Sequence, residues 1–355
     1  MREGITLRCV VAFVLALLVM SSPAIAAPAR IGEYSSSAEI LAWINSYRSK
    51  PAPEDVAPAA LRLSRLGMFK DPESAGVYIG FLAGIIGSNP DRAEKLIAKL
   101  LAMAPEDNWA LVRAIAYSGH PEWRTLLLNL RERLPARKVM ITRFVDGKLP
   151  TLEQIVINKD EALIQKVRAY FTWKKSGGDK NADAKPATLE PSPDLLDTLW
   201  GYYFATGDER PLGRIIAFLP LSKDRDSVER LTIGSMAKYT LASNASRDFV
   251  LLASLKKSNT QQPKEIAPIL TEVIEAAETV ETGRLRKDAF AALEELKRKG
   301  PNSKRNVTWW GQVGQGVLAA GCIVAAATGH VELGLPCVVG GGLSGAALQV
   351  WGSQQ

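Results

Sequence analysis

From Ser37 to Lys299 apolar positions recur every three or four residues, the spacing that gathers them into one stripe of an α-helix. Ala93 to Met103 is typical: Leu96, Ile97, Leu100 and Leu101 oppose Glu94, Lys95 and Lys99. Prolines at Asp71-Pro72, Asn89-Pro90 and His120-Pro121 stand where a helix can begin without losing a hydrogen bond, and Asp or Asn before them can cap free amides. Two-residue alternation is scarce, and Gln154 to Asn158 is the best strand candidate, too isolated to build a sheet. The predicted fold class is therefore all-α.

The ends of the predicted helices resemble one another. Ala114 to Pro121 and Tyr202 to Asp208, with Pro211 soon after, both read as an aromatic helix end, a glycine stop, a short polar turn and a new helix. Leu82 to Pro90 and Met236 to Arg247 give weaker copies, with Gly87 and Asn244 at the stop positions. Stacked helix pairs of this kind predict a helical-repeat, α-solenoid-like region, because each pair alone cannot bury its apolar face. Gly207-Asp208 followed by an amphipathic helix resembles the tetratricopeptide (TPR) turn, although the Trp, Leu-Gly, Tyr, Ala, Phe and Pro consensus recurs at no constant period. Lys174 to Pro193 holds one large apolar residue, Leu189, among three prolines and two glycines, so residues 174–193 are expected to be a flexible linker. The helical-repeat regions are then 30–173 and 194–300.

Both ends of the chain depart from this pattern. Arg2 and Arg8, the apolar run Val10 to Met20 and Ala24-Ile25-Ala26 make residues 1–26 a signal peptide, which places the mature protein in the periplasm or outside the cell. At the other end, residues 306–355 carry one formal charge, Glu332, and 11 glycines. Two apolar stretches, Val313 to Thr328 and Leu333 to Trp351, flank a polar turn at His330 and predict a Gly/Ala-rich helical hairpin. Gly321, Ala325 and Gly329 recur every four residues, as do Gly341 and Gly345, which lets helix backbones approach closely. In composition this tail resembles glycine-zipper membrane hairpins of envelope proteins. Trp309, Trp310 and Trp351 would gather at its open end, where indoles favour a membrane interface. The tail is expected to tether the protein to a membrane surface, to form a homo-oligomer, or to pack on the helical region.

Composition narrows the chemistry. Removal of residues 1–26 leaves 42 basic and 36 acidic residues, a mild excess suited to acidic headgroups or an acidic partner, and export argues against nucleic acid. It also leaves one cysteine pair, Cys322 and Cys337, expected to form a disulfide in an oxidising compartment; the alternative is two buried thiols. With His120 and His330 the only histidines, no His-rich metal site can be built. Nucleophile-elbow, phosphate-loop and zincin spacings are missing, and no cofactor is expected. Carboxylate-only catalysis leaves no local motif, so a cell-wall hydrolase remains a weaker alternative, with Glu122, Asp208 and Glu209 better read as turn and cap residues.

Two local features suggest binding. Within the aromatic group Trp200, Tyr202, Tyr203 and Phe204, helical phase assigns Trp200, Tyr203 and Phe204 to the core and leaves Tyr202 as the exposed candidate. Arg124, Arg131, Arg133, Arg137, Lys138, Arg143 and Lys148, against Glu132 and Asp146, form a basic cluster, with Arg131, Arg137 and Lys138 as the candidate contacts. The expected function is an exported helical-repeat interaction scaffold that holds an envelope protein and is tethered or assembled through its tail. The alternative is a tail that inserts in membranes and oligomerises.

Overall fold

The computed structural model describes residues 36–157 and 187–279, together with Ala291. The expected signal peptide, most of the expected linker, and the tail with Cys322, Cys337, Trp309, Trp310, Gly321, Ala325, Gly329, Gly341, Gly345 and Trp351 lie outside the described residues.

Twelve α-helices make up the described part: α1 (Ser37–Ser46), α2 (Val56–Arg65), α3 (Gly76–Ser88), α4 (Pro90–Leu100), α5 (Asn108–Tyr117), α6 (Trp123–Leu130), α7 (Lys138–Val145), α8 (Pro193–Thr206), α9 (Glu209–Ile216), α10 (Val228–Ala245), α11 (Phe249–Asn259) and α12 (Ala267–Glu278). Among the described residues the fold is all-helical, and extended pairing is limited to one parallel bridge between Ile155 and Leu189. Of the segment expected as an isolated strand, Gln154 ends a 3-10 turn and Ile155 makes that bridge. The amide of Leu189 donates to the Gln154 carbonyl and that of Val156 to the Leu189 carbonyl, both at 2.9 Å. The last residues of the expected linker are thus pinned to the end of the first helical region, and Pro193 already belongs to α8.

A parallel pair, α3 and α8, forms the centre. Every residue from Gly76 to Ile86 and from Leu195 to Ala205 is buried. Gly76, Gly80 and Gly84 stand one turn apart on α3 and meet Asp194, Thr198 and the Tyr202 to Thr206 turn of α8 in the same order. On the facing side Gly201 lies against the Val77 carbonyl. Hydrogen side chains at these positions let the two backbones touch, and the contact gains dispersion energy that larger residues would forbid. Around this pair pack α1, α9 and α10 on α8, and α4 and α5 on α3. One apolar core runs from Ile40 to Ala277, so the helices on either side of the linker share a single interior. Sequential neighbours pack as well, α5 on α6, α6 on α7 and α11 on α12.

Local signals resolve unevenly. Gly119 and Gly207 both take positive φ, +66° and +69°, as helix stops require, and the Gly207 amide closes α8 by donating to the Tyr203 carbonyl. Gly87 is not a stop: it lies inside α3, where a Cβ would stand 2.0 Å from the Ser118 carbonyl oxygen. Asn244 is likewise buried within α10. Pro90 opens α4 as its spacing predicts, but the Asn89 amide group turns back to the Ile85 carbonyl and closes α3 instead of capping α4. Asp71-Pro72 opens no helix, since the Asp71 carboxylate accepts the Glu73 amide in a turn. At His120-Pro121 the His120 Nδ1 atom accepts the Glu122 amide at 3.0 Å, and α6 begins at Trp123.

Candidate functional site

The basic cluster acquires a defined geometry on α6 and α7. Leu126, Leu127 and Leu130 face the core from α6, and Ile141 and Phe144 do so from α7, with the Phe144 ring set edge-on to Tyr117 at 6.3 Å. A 3-10 turn, Pro135–Arg137, joins the helices, with Leu134 buried just before it. Because these positions fix both helices in rotation, Arg124 and Leu128 are carried outward one turn apart on α6, and Val139 and Arg143 one turn apart on α7. Leu128 is 44% exposed and Val139 74% exposed. Each protruding aliphatic residue therefore has an arginine one turn away on its own helix.

Carboxylates on this face are fewer than cations. Glu132 accepts from Arg131 Nε at 3.2 Å and lies 3.3 Å from Lys138 Nζ, which ties the end of α6 to the start of α7. Hydrogen bonding from Lys138, then from Arg131, holds the Glu132 carboxyl below the usual carboxylate range. Lys148 pairs with Asp146 at 3.4 Å. Arg137 is spent on structure, donating to the Glu106 carbonyl at 2.7 Å. Arg124 lies over the Trp123 ring, 4.4 Å from its centroid, and Arg124, Arg133 and Arg143 have no carboxylate partner among the described residues. The sequence-predicted contacts Arg131, Arg137 and Lys138 are brought together here, yet the cations left open to a partner are these three arginines.

Tyr202 does not join them, and the expectation that it is exposed is corrected. It is 9% exposed, and its hydroxyl donates to the Ser118 carbonyl at 2.9 Å. With α3 on one flank and the Ser118 turn on another, α8 has no solvent face at this height, so helical phase could not leave any of its four aromatic residues outside. Trp200, Tyr203 and Phe204 are core, with the Trp200 indole donating to Thr240 Oγ1 at 3.0 Å.

Among the described residues, a half-buried acid is strongly perturbed. Asp194, in the first turn of α8, faces Arg113 at 3.6 Å, and Arg113 in turn stacks over Trp109. Burial pushes the Asp194 carboxyl up to about 6 against the pull of Arg113, with Glu73 and Asp71 adding to the rise. Burial also raises Tyr117, to about 12, and Tyr78 beside Asp197. The candidate carboxylates of the hydrolase reading lie elsewhere: Asp208 caps α9 through the Arg210 amide, and Glu209 pairs with Lys257 at 3.7 Å. No group of three His, Cys, Asp or Glu side chains among the described residues could hold a metal ion.

What sequence reasoning missed at this site is the pairing of cations with exposed aliphatic residues. The signal was present as Arg124-x3-Leu128 and Val139-x3-Arg143, but it becomes legible only once the buried face of each helix is known. No helix among the described residues is long and apolar enough to cross a membrane. No family model, no curated protein and no solved structure matches the chain.

Proposed function

We propose that the protein is an exported, non-catalytic helical scaffold that works by docking. The α6–α7 face seats an anionic partner surface of the envelope, and residues 306–355 tether or assemble the scaffold. One observation carries this reading: Arg124, Arg133 and Arg143, lacking carboxylate partners among the described residues, are exposed on the same packed α6–α7 hairpin as the protruding Leu128 and Val139. A solvated surface that only keeps a protein soluble intersperses charges of both signs. This one concentrates seven cations against two carboxylates over residues 124–148 and leaves two aliphatic side chains out.

Cell fractionation tests the reading, with the full-length protein compared with Arg133→Glu/Arg143→Glu and with a version ending at Arg305. Charge reversal should move protein out of the envelope fraction while expression and thermal unfolding stay unchanged. An envelope fraction indifferent to the charge reversal defeats the docking reading, whatever the truncation does.

The reading in which tails assemble with one another gains support from within the fold. Gly76, Gly80 and Gly84, at the same four-residue spacing as Gly321, Ala325 and Gly329, build the α3–α8 contact. A peptide of residues 306–355 should then form oligomers in lipid vesicles and release an entrapped dye. Absence of both defeats it.

A further inference from the structure

Resting on the docking reading above, we propose that the surface recognised by the α6–α7 face is an anionic lipid bilayer, met by arginines at the headgroups and by Val139 and Leu128 just below them. Protein interfaces concentrate their energy in recessed, well-packed anchors, rich in Trp, Tyr and Arg, and exclude lysine from their centre. Here the geometry is the reverse. Both exposed apolar residues are aliphatic and single, and Val139 stands at 74% exposure next to Lys138. Cations flank them along the hairpin: Arg124 one turn before Leu128, Arg143 one turn after Val139, with Arg133 between the helices, Lys138 opening α7 and Lys148 beyond it. Short aliphatic tips flanked by long basic side chains suit the boundary between headgroups and acyl chains.

The carboxylates fit the same picture. Glu132 is held by Arg131 and Lys138, so its charge is cancelled within the face, and Asp146 is cancelled by Lys148. What remains is an excess of five positive charges, and Arg124, Arg133 and Arg143 are the cations held by neither a carboxylate nor a carbonyl. Near an anionic membrane each such cation strengthens binding about fivefold at moderate salt.

Sedimentation of the full-length protein with vesicles tests this, using phosphatidylglycerol mixed with phosphatidylcholine beside phosphatidylcholine alone. Three variants accompany it: Arg124→Ser/Arg133→Ser/Arg143→Ser, Leu128→Ser/Val139→Ser, and Val139→Trp. All five positions are surface sites, and unchanged circular dichroism melting confirms that folding is retained. The expected result is binding that needs phosphatidylglycerol, falls roughly a hundredfold in the triple variant, falls severalfold in the double serine variant, and rises in Val139→Trp. Equal binding to both vesicle types, or binding untouched by the triple variant, overturns the proposal, since the attachment would then come from another part of the chain. Binding to polyglutamate that needs the three arginines, without binding to anionic vesicles, also overturns it, and leaves the docking reading standing with an acidic protein as partner.

Discussion

Gly80 backs onto Thr198 so closely that a Cβ built on it would stand 1.9 Å from the Thr198 carbonyl oxygen. That atom is backbone in the middle of α8, so it cannot swing aside as a side-chain tip would. Gly80→Ala must therefore push two fully buried helices apart. Alanine gains about 1 kcal/mol of helix propensity over glycine, but the overpacking outweighs it, and a net loss of about 2 to 3 kcal/mol is expected in urea unfolding. Gly213, in the middle of α9 with open space at its Cβ position, is the matched control. Gly213→Ala should stabilise the protein by about 0.5 to 1 kcal/mol. Equal effects of the two changes would mean that the seam is not what makes glycine necessary at Gly80.

The same seam explains what could and could not be read from the chain. The periodicity of Ala93 to Met103 gathers Leu96, Ile97, Leu100 and Leu101 into one stripe. Ile97 and Leu100 are buried in α4 and Leu96 and Leu101 are half-buried against the core, because the opposite face of that helix meets solvent. Stops at Gly119 and Gly207 are local backbone events and were equally legible. Helix α3 has no solvent face from Gly76 to Ile86, so its apolar pattern carries no phase and hides its partner. That partner lies more than a hundred residues along the chain, and Gly87 in turn is told apart as a packing residue, not a helix stop, only by the Ser118 turn set against it. On the α6–α7 hairpin the charges were visible in sequence order, whereas the sharing of Glu132 between Arg131 and Lys138 depends on how α6 meets α7.

Tyr202→Phe separates packing from docking. The ring keeps its place between α3 and the Ser118 turn, while the hydroxyl bond to the Ser118 carbonyl is lost and leaves a buried acceptor short of a partner. Unfolding free energy should drop by about 1 kcal/mol. Vesicle or partner binding should not change, because Tyr202 is buried and does not reach the α6–α7 face. A variant that folds normally yet loses binding would return Tyr202 to the site.

Asp194 makes stability depend on pH with an unusual sign. Its folded value is raised from the ordinary 3.8 to about 6, so between these limits the folded chain holds a proton that the unfolded chain releases. This contribution is fully present below the unfolded value and is lost as pH rises through about 6. Asp194→Asn abolishes the titration while keeping the side-chain shape beside Gly76. Its unfolding free energy should be flatter than the parent's from about pH 4 to about pH 6. At pH 7 it should be higher by about 1 kcal/mol, less than the full shift implies because the partly exposed pair with Arg113 is screened by solvent. An unchanged slope would show that another buried acid dominates this window.

Arg48 and Asp248 provide a final test, of a contact that ties α1 to the second half of the fold. The Arg48 guanidinium pairs with one Asp248 oxygen and lies 5.0 Å from the Tyr203 ring centroid. The other Asp248 oxygen accepts the Val250 and Leu251 amides, both at 3.0 Å, and so caps α11. Asp248→Asn retains a good cap and weakens only the charge, whereas Asp248→Ala removes both. The expected losses are about 1 kcal/mol for Asn and about 2 for Ala. Arg48→Ala should cost about 1 to 2 kcal/mol, since it also uncovers the Tyr203 face. In a double-mutant cycle of Arg48→Ala with Asp248→Asn, the coupling should reach about 1 kcal/mol. Both side chains keep about a quarter of their surface exposed, 23% and 27%, so raising the salt concentration should reduce that coupling without abolishing it. A coupling near zero would leave the α11 cap and the stacking on Tyr203 as two separate contacts, with no effective ion pair joining Arg48 to the start of α11.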